Sequence, residues 1–192
     1  EQRDQQSIAS INLGLVANVF LAALKTVIGI VGQSPALLAE GINSTSDVAY
    51  YVVASIFVRL ARKPADVAHP YGHRQLESIA ALVIGSFIVT TAVAVFWDSI
   101  NEVFALWRGL SIFEGASSSA LWVALLTVAL KLGLTWYTRI IGRRTGNPVV
   151  LAMASDHRND ILSASAAVVG IFLGRQGYPW VDPLAGALVA LL

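Results

Sequence analysis

Two pairs of polar side chains recur at one spacing in this sequence. Asn43 and Asp47 stand in the run Glu40-Gly41-Ile42-Asn43-Ser44-Thr45-Ser46-Asp47, and Asp156 and Asp160 in Ser155-Asp156-His157-Arg158-Asn159-Asp160. On a helix, residues i and i+4 share a face, one turn apart. Asn43 and Asp47 follow Pro35 by 8 and 12 residues, and Asp156 and Asp160 follow Pro148 by the same 8 and 12. At a rise of about 1.5 Å per residue, both pairs lie about 12–18 Å into their helices. Two such helices running in opposite directions through a hydrocarbon core about 30 Å thick bring the pairs together near its midplane. Three carboxylates and one amide facing each other form a donor set for a divalent cation. A blander use exists, because buried Asp and Asn also join membrane helices, and Lys25 or Lys131 could neutralise Asp47. Matched depth weighs against it: three carboxylates packed without a cation repel one another in a low dielectric.

A second constellation lies in Lys63-Pro64-Ala65-Asp66-Val67-Ala68-His69-Pro70-Tyr71-Gly72-His73. Asp66, His69 and His73 offer one oxygen and two imidazoles, which suits zinc, iron or manganese. Equally, histidines are common in solvated loops, and Pro-Tyr-Gly is ordinary turn chemistry.

The elements that must position these groups follow from composition. Of 192 residues, 56% are hydrophobic and 13% charged, with a mean hydropathy of +0.67. Soluble domains carry about a quarter charged residues, so this chain belongs in lipid. Thirteen basic against twelve acidic residues leave a net charge of +1, which excludes a polyanion binder such as a nucleic-acid protein. The absence of cysteine removes disulfides, thiolate metal sites and cysteine nucleophiles. A membrane-crossing helix needs about 20 mostly apolar residues. Six stretches suggest themselves, at 8–31, 35–60, 76–100, 119–141, 148–173 and 183–192.

The expectation is therefore an all-α membrane protein, a six-transmembrane-helix bundle forming one membrane domain over residues 1–192. The sixth stretch stops at Leu192, about half the usual length, and reads as cut short, with no cytoplasmic C-terminal domain. Arg59, Arg62, Lys63 and Arg74 between the second and third stretches, and Arg139, Arg143 and Arg144 between the fourth and fifth, place both termini in the cytoplasm. Trp97, Trp107, Trp122 and Trp180 fall where an aromatic belt would stand. Ser34-Pro35, Asn147-Pro148 and Asp182-Pro183 each read as an N-cap followed by proline at the first helical position. The ionisable residues inside the stretches are Lys25, Glu40, Asp47, Lys131, Asp156, His157, Arg158 and Asp160. Each costs about 2.5–3.5 kcal/mol at a helix centre and needs a partner, a cavity or a function.

The string Ser34-Pro35-Ala36-Leu37-Leu38-Ala39-Glu40-Gly41 with Asn43, Ser44 and Asp47 resembles the second helix of the cation diffusion facilitator family. The Lys63 to His73 loop with Glu77, Ala152 to Asp160, and Asp182-Pro183 extend that resemblance over nearly the whole chain. It implies a secondary transporter, generally a homodimer, that exchanges a cytoplasmic divalent metal for protons. The family's transport site falls on Asn43, Asp47, Asp156 and Asp160, and the loop site of its zinc-transporting members on Asp66, His69 and His73. Zinc-type members usually carry histidine at the place of Asp156; here His157 is displaced by one position, about 100° around the helix. The set resembles the manganese-type branch.

Donor chemistry points the same way, since oxygen donors without sulfur favour harder ions, whereas closed zinc sites recruit histidine or cysteine. Manganese is the first choice of cargo, ferrous iron the second and zinc the third. The expected cycle is alternating access in a bacterial inner (cell) membrane, with protons leaving the aspartates as metal binds and no enzymatic activity. Gly29, Gly32, Gly41, Gly170 and Gly174 could serve bending or close packing. A passive cation channel, an intramembrane aspartyl protease and a non-transporting metal-binding or scaffold member of the family are the alternatives. The protease suits least, because it needs two aspartates sharing a proton.

Overall fold

The computed structural model describes residues 2–61, 75–110 and 115–191. Among the described residues the secondary structure is helical throughout: α1 (Gln2–Val31), α2 (Pro35–Ala61), α3 (Gln75–Trp107), α4 (Ser118–Thr145), α5 (Pro148–Arg175) and α6 (Val181–Ala190). This is the expected all-α membrane bundle. Several helices run past the apolar stretches that announced them. α1 starts at Gln2 and not at 8, and α3 continues to Trp107 and not 100, because helical hydrogen bonding continues into polar flanks.

The bundle is apolar outside and polar inside. Leu82 is 71% exposed and Val16 66%, while Lys25, Glu40, Lys131 and Asp182 are each 2% exposed or less. In water that arrangement would be costly; in hydrocarbon it is what every buried polar group requires. Among the described residues, Gln5–Val31, Gly85–Trp107 and Ser118–Thr145 are long and apolar enough to cross a membrane. The two helices that carry the polar pairs, α2 and α5, are not in that set, because those pairs interrupt their apolar runs.

Short connections make α1–α2 and α4–α5 antiparallel hairpins. Ser34 caps α2, its hydroxyl accepting from Leu37 N–H at 3.1 Å. Asn147 caps α5, accepting from Val149 N–H at 2.9 Å and Val150 N–H at 3.4 Å. The third expected cap is corrected. α6 begins at Val181 with Trp180 before it and no side-chain cap. Asp182 lies inside the first turn of α6, and its Oδ1 accepts from Ser34 Oγ at 3.0 Å and Ala36 N–H at 2.9 Å. The carboxylate thus caps a different helix, α2, where buried N–H groups lack an intrahelical acceptor.

These contacts bring the start of α2 and the start of α6 together. At the same end, the Ser117 N–H before α4 donates to Gly32 O after α1 at 2.9 Å. Arg175 at the end of α5 donates to Ala116 O at 2.6 Å and Ser118 Oγ at 2.8 Å. α2 and α5 therefore run antiparallel, as the depth argument requires. α4 packs mainly on α5 and α1 on α2, while α6 bridges α2, α3 and α5. Glycine permits the tightest approach in the α1–α2 hairpin. A β-carbon at Gly41 would lie 2.6 Å from the Thr26 backbone nitrogen, and one at Gly29 2.7 Å from that of Leu38. Close packing is the use these two glycines have here.

Removing the Asp182 carboxylate would strip the α2 start of an acceptor in a dry environment. Asp182→Ala is expected to lower stability by about 1–3 kcal/mol, whereas Asp182→Asn, which keeps an oxygen, loses less. Thermal unfolding of the detergent-solubilised protein measures this; equal midpoints for parent and both variants would show the cap to be idle.

Candidate cation site

α2 and α5 meet through small residues, and their contact sets the register of the polar pairs. Ala36, Ala167 and Ala185 form one buried cluster of α2, α5 and α6. Asn43 and Asp47 follow Ala36 by 7 and 11 residues, while Asp160 and Asp156 precede Ala167 by the same 7 and 11. With the helices antiparallel, Asn43 comes level with Asp160 and Asp47 with Asp156. Asn43, Asp47 and Asp160 are half-buried and Asp156 is exposed. Asp47 lies within reach of the charges of Asp160, Lys131, Lys25 and Asp156. The carboxylates of the two helices thus share one electrostatic neighbourhood. They are not drawn round a single point: among the described residues no three His, Asp or Glu side chains are placed to hold a metal ion together. The other candidates, Asp66, His69 and His73, fall within 62–74, outside the described residues.

What holds the neighbourhood together is two buried lysines. Lys131 of α4 donates to the Asp160 carboxylate and, at 2.7 Å, to Asn18 Oδ1 of α1. Lys25 of α1 donates to Glu40 Oε2 at 3.0 Å and to Ser44 Oγ at 2.5 Å, both on α2. Among the described residues neither lysine bonds Asp47, the blander use that the sequence leaves open. Levels within each hairpin explain the choice. Lys25 precedes Gln33 by 8 residues and Glu40 follows it by 7; Lys131 precedes Gly146 by 15 and Asp160 follows it by 14. A neutral amide such as Asn18 carries no comparable sequence signal, although it precedes Gln33 by 15 residues and so lies at the same depth.

His157, one position from Asp156, faces a different helix. It is 1% exposed, and a β-carbon at Gly14 of α1 would lie 3.3 Å from its Nε2. The 100° offset thus carries the imidazole to α1.

A groove approaches the site from the end where α2 begins. A cavity of about 680 Å³ opens between α1, α2 and α3, running from Gln33 and Ser34 down to Ile42, with Asp98 and Glu102 on its α3 wall. A smaller one of about 30 Å³ shares Ala39, Ile42 and Val95 with it and reaches Asn43 and Ser46.

Residues 11–192 match the cation efflux transmembrane domain family. An uncharacterised transporter of Methanocaldococcus jannaschii is 32% identical over 188 residues, covering 94% of this chain and 62% of that protein. The manganese efflux system protein MneP of Bacillus subtilis is 31% identical over 201 residues, covering 100% of this chain and 65% of its own. Metal tolerance protein C1 of Arabidopsis thaliana is 32% identical over 190 residues, 94% of this chain and 40% of that one. The chain thus spans 40% to 65% of the length of these relatives.

The Lys25–Glu40 pair makes a measurable claim. Lys25→Ala leaves Glu40 charged and unpaired and is expected to destabilise the protein by about 3–5 kcal/mol. The Lys25→Met/Glu40→Leu double variant should recover most of that loss, since apolar replacements of a buried pair are often neutral. Denaturation in detergent of the parent, Lys25→Met, Glu40→Leu and the double variant measures the coupling, and strictly additive effects would show that the two side chains do not stabilise one another.

Proposed function

The chain belongs to the cation efflux family, and on that premise we propose that it is the transmembrane domain of a divalent metal exporter. The cargo we infer is Mn²⁺, with Fe²⁺ and then Zn²⁺ behind it. The ion is bound between α2 and α5 by Asn43, Asp47, Asp156 and Asp160 and leaves the cytoplasm in exchange for protons. The observation that carries this is the common level of the two polar pairs on antiparallel α2 and α5. That common level supports a donor set of three carboxylates and an amide at mid-depth in a bundle whose exterior is apolar. Four oxygen donors suit manganese better than zinc, and selectivity must come from geometry, because affinity order alone favours zinc. The relative named as a manganese efflux protein supports the same choice.

In the cycle, the metal binds as the aspartates give up protons, since ligation needs deprotonated carboxylates. Movement of α2 and α5 against the rest of the bundle opens the site to the groove that starts at Gln33 and Ser34. Protons then return to the carboxylates and release the metal outward. The protein acts as a transporter and not an enzyme, spans the bacterial cell membrane with both termini inside, and works as a homodimer at full length. Asp66, His69 and His73 form a second, subsidiary metal site on the cytoplasmic side.

In liposomes with an imposed pH gradient, Asp47→Ala and Asp160→Ala are expected to reduce manganese uptake to background while the protein still elutes as a folded species. Parental rates in either variant would remove that side chain from the site. Asp156→His exchanges a hard carboxylate for an imidazole and subtracts one negative charge, so the manganese-to-zinc ratio of initial rates should fall without inverting. An unchanged or higher ratio would show that position 156 does not set metal choice.

A further inference from the structure

The best-held cation at the site is part of the protein. Lys131 is 2% exposed, and its ammonium group is shared between the Asp160 carboxylate and Asn18 Oδ1, 2.7 Å away. Its field also reaches Asp47. Three helices other than α2 converge on this one nitrogen: α4 supplies it, α5 the carboxylate and α1 the amide oxygen. We propose that Lys131 is a tethered counter-cation that occupies Asp160 while the carrier is empty and gives way to the transported metal. The inference rests on Asp160 being a metal ligand, and adds what competes with the metal there.

The argument is one of charge. An ammonium group and a divalent ion cannot both bond one carboxylate in a low-dielectric bundle without strong mutual repulsion. Metal ligation by Asp160 therefore requires the ammonium to draw back. Lysine suits this, being a compact charge on a flexible four-carbon stem. Asn18 gives it a second acceptor, so the ammonium keeps one hydrogen bond when it leaves the carboxylate. When the metal departs, Lys131 returns to Asp160, the exchanged protons fall to the other carboxylates of the site, and Asp160 is spared the desolvation of an unpaired buried charge. The lysine thus weakens metal binding and stabilises the empty state, both of which a carrier that must release its cargo and reset requires. A lysine that only joined helices would also be buried and paired, but its loss would not tighten metal binding.

The test titrates Mn²⁺ into the purified full-length protein in detergent, with variants of opposite expectation. Lys131→Gln keeps a hydrogen-bonding side chain without charge and should tighten manganese binding at least about tenfold, while slowing turnover in liposomes because release is impaired. Lys131→Arg keeps the charge and holds a carboxylate through a planar fork, so it should weaken binding by about threefold or more. Gln binding no tighter than the parent, or Arg binding as tightly as the parent or tighter, overturns the proposal. If Lys131→Gln fails to fold, the Arg variant, which preserves the ion pair, decides alone. Asp47→Ala separates this from the site assignment. Manganese binding unaffected by that change overturns the central site. Binding lost in Asp47→Ala but unmoved by both Lys131 variants overturns the counter-cation alone.

Discussion

Inside a bilayer there is no water to complete a half-made interaction, so each buried charge in this bundle must take its partner from another helix. Lys25 of α1 takes Glu40 and Ser44 of α2; Lys131 of α4 takes Asp160 of α5 and Asn18 of α1. Asp182 of α6 takes the start of α2. Packing among apolar surfaces gains little in lipid, where the alternative neighbours are equally apolar. Polar pairings and small-residue contacts must then fix which helices meet and at what height. Leaving any partner unpaired is costly enough to make these pairings register marks as well as contacts.

The register they fix sets the level at which the two polar pairs face each other. Hairpins α1–α2 and α4–α5 are each set by a lysine that finds a carboxylate at its own level across the turn. Once both hairpins are set, the alanine contact between α2 and α5 brings Asn43 level with Asp160 and Asp47 with Asp156. The same logic explains why the two helices that carry the polar pairs are not among the long apolar spans. Their side chains are stabilised by the bundle and not by lipid, so hydropathy alone does not single them out as spans.

What could be read from the sequence was what local chemistry determines. The caps at Ser34 and Asn147 are contacts within three residues, and both exist as expected. The cap expected of Asp182 does not, because its acceptor role is set by a helix 146 positions away in sequence. The recurrence of Asn43/Asp47 and Asp156/Asp160 was visible because it is a spacing, and spacing converts to depth. The partners of the lysines were not, since depth alone leaves the rotation of each helix open. Lys131 and Asp160 share a level, but spacing does not say which face α4 turns to α5. Asn18 and His157 were hidden for the same reason.

The position of Lys131 also gives the bundle a means of coupling its two halves. Asn18 and Asp160 belong to different hairpins, and one ammonium group bonds both. While it does, α1 is held to α5 at mid-depth, near the site that α2 and α5 share. On the counter-cation proposal, a metal that takes Asp160 from the lysine breaks one of the two bonds and leaves the other, so the polar tie between α5 and α1 is cut while α4 stays packed on α5 and bonded to α1. Binding energy from a cation is then converted into a change in which helices are joined. A ligand shifts a conformational equilibrium only through contacts that differ between the two states, and here the differing contact is a hydrogen bond that the ligand itself displaces. The Lys131–Asn18 bond between α4 and α1 is kept throughout, and on this proposal the metal adds a tie between α2 and α5, which already meet at Ala36 and Ala167. An ion pair that looks like structural cement in the empty protein is thereby placed where cargo can exchange it for its own bonds.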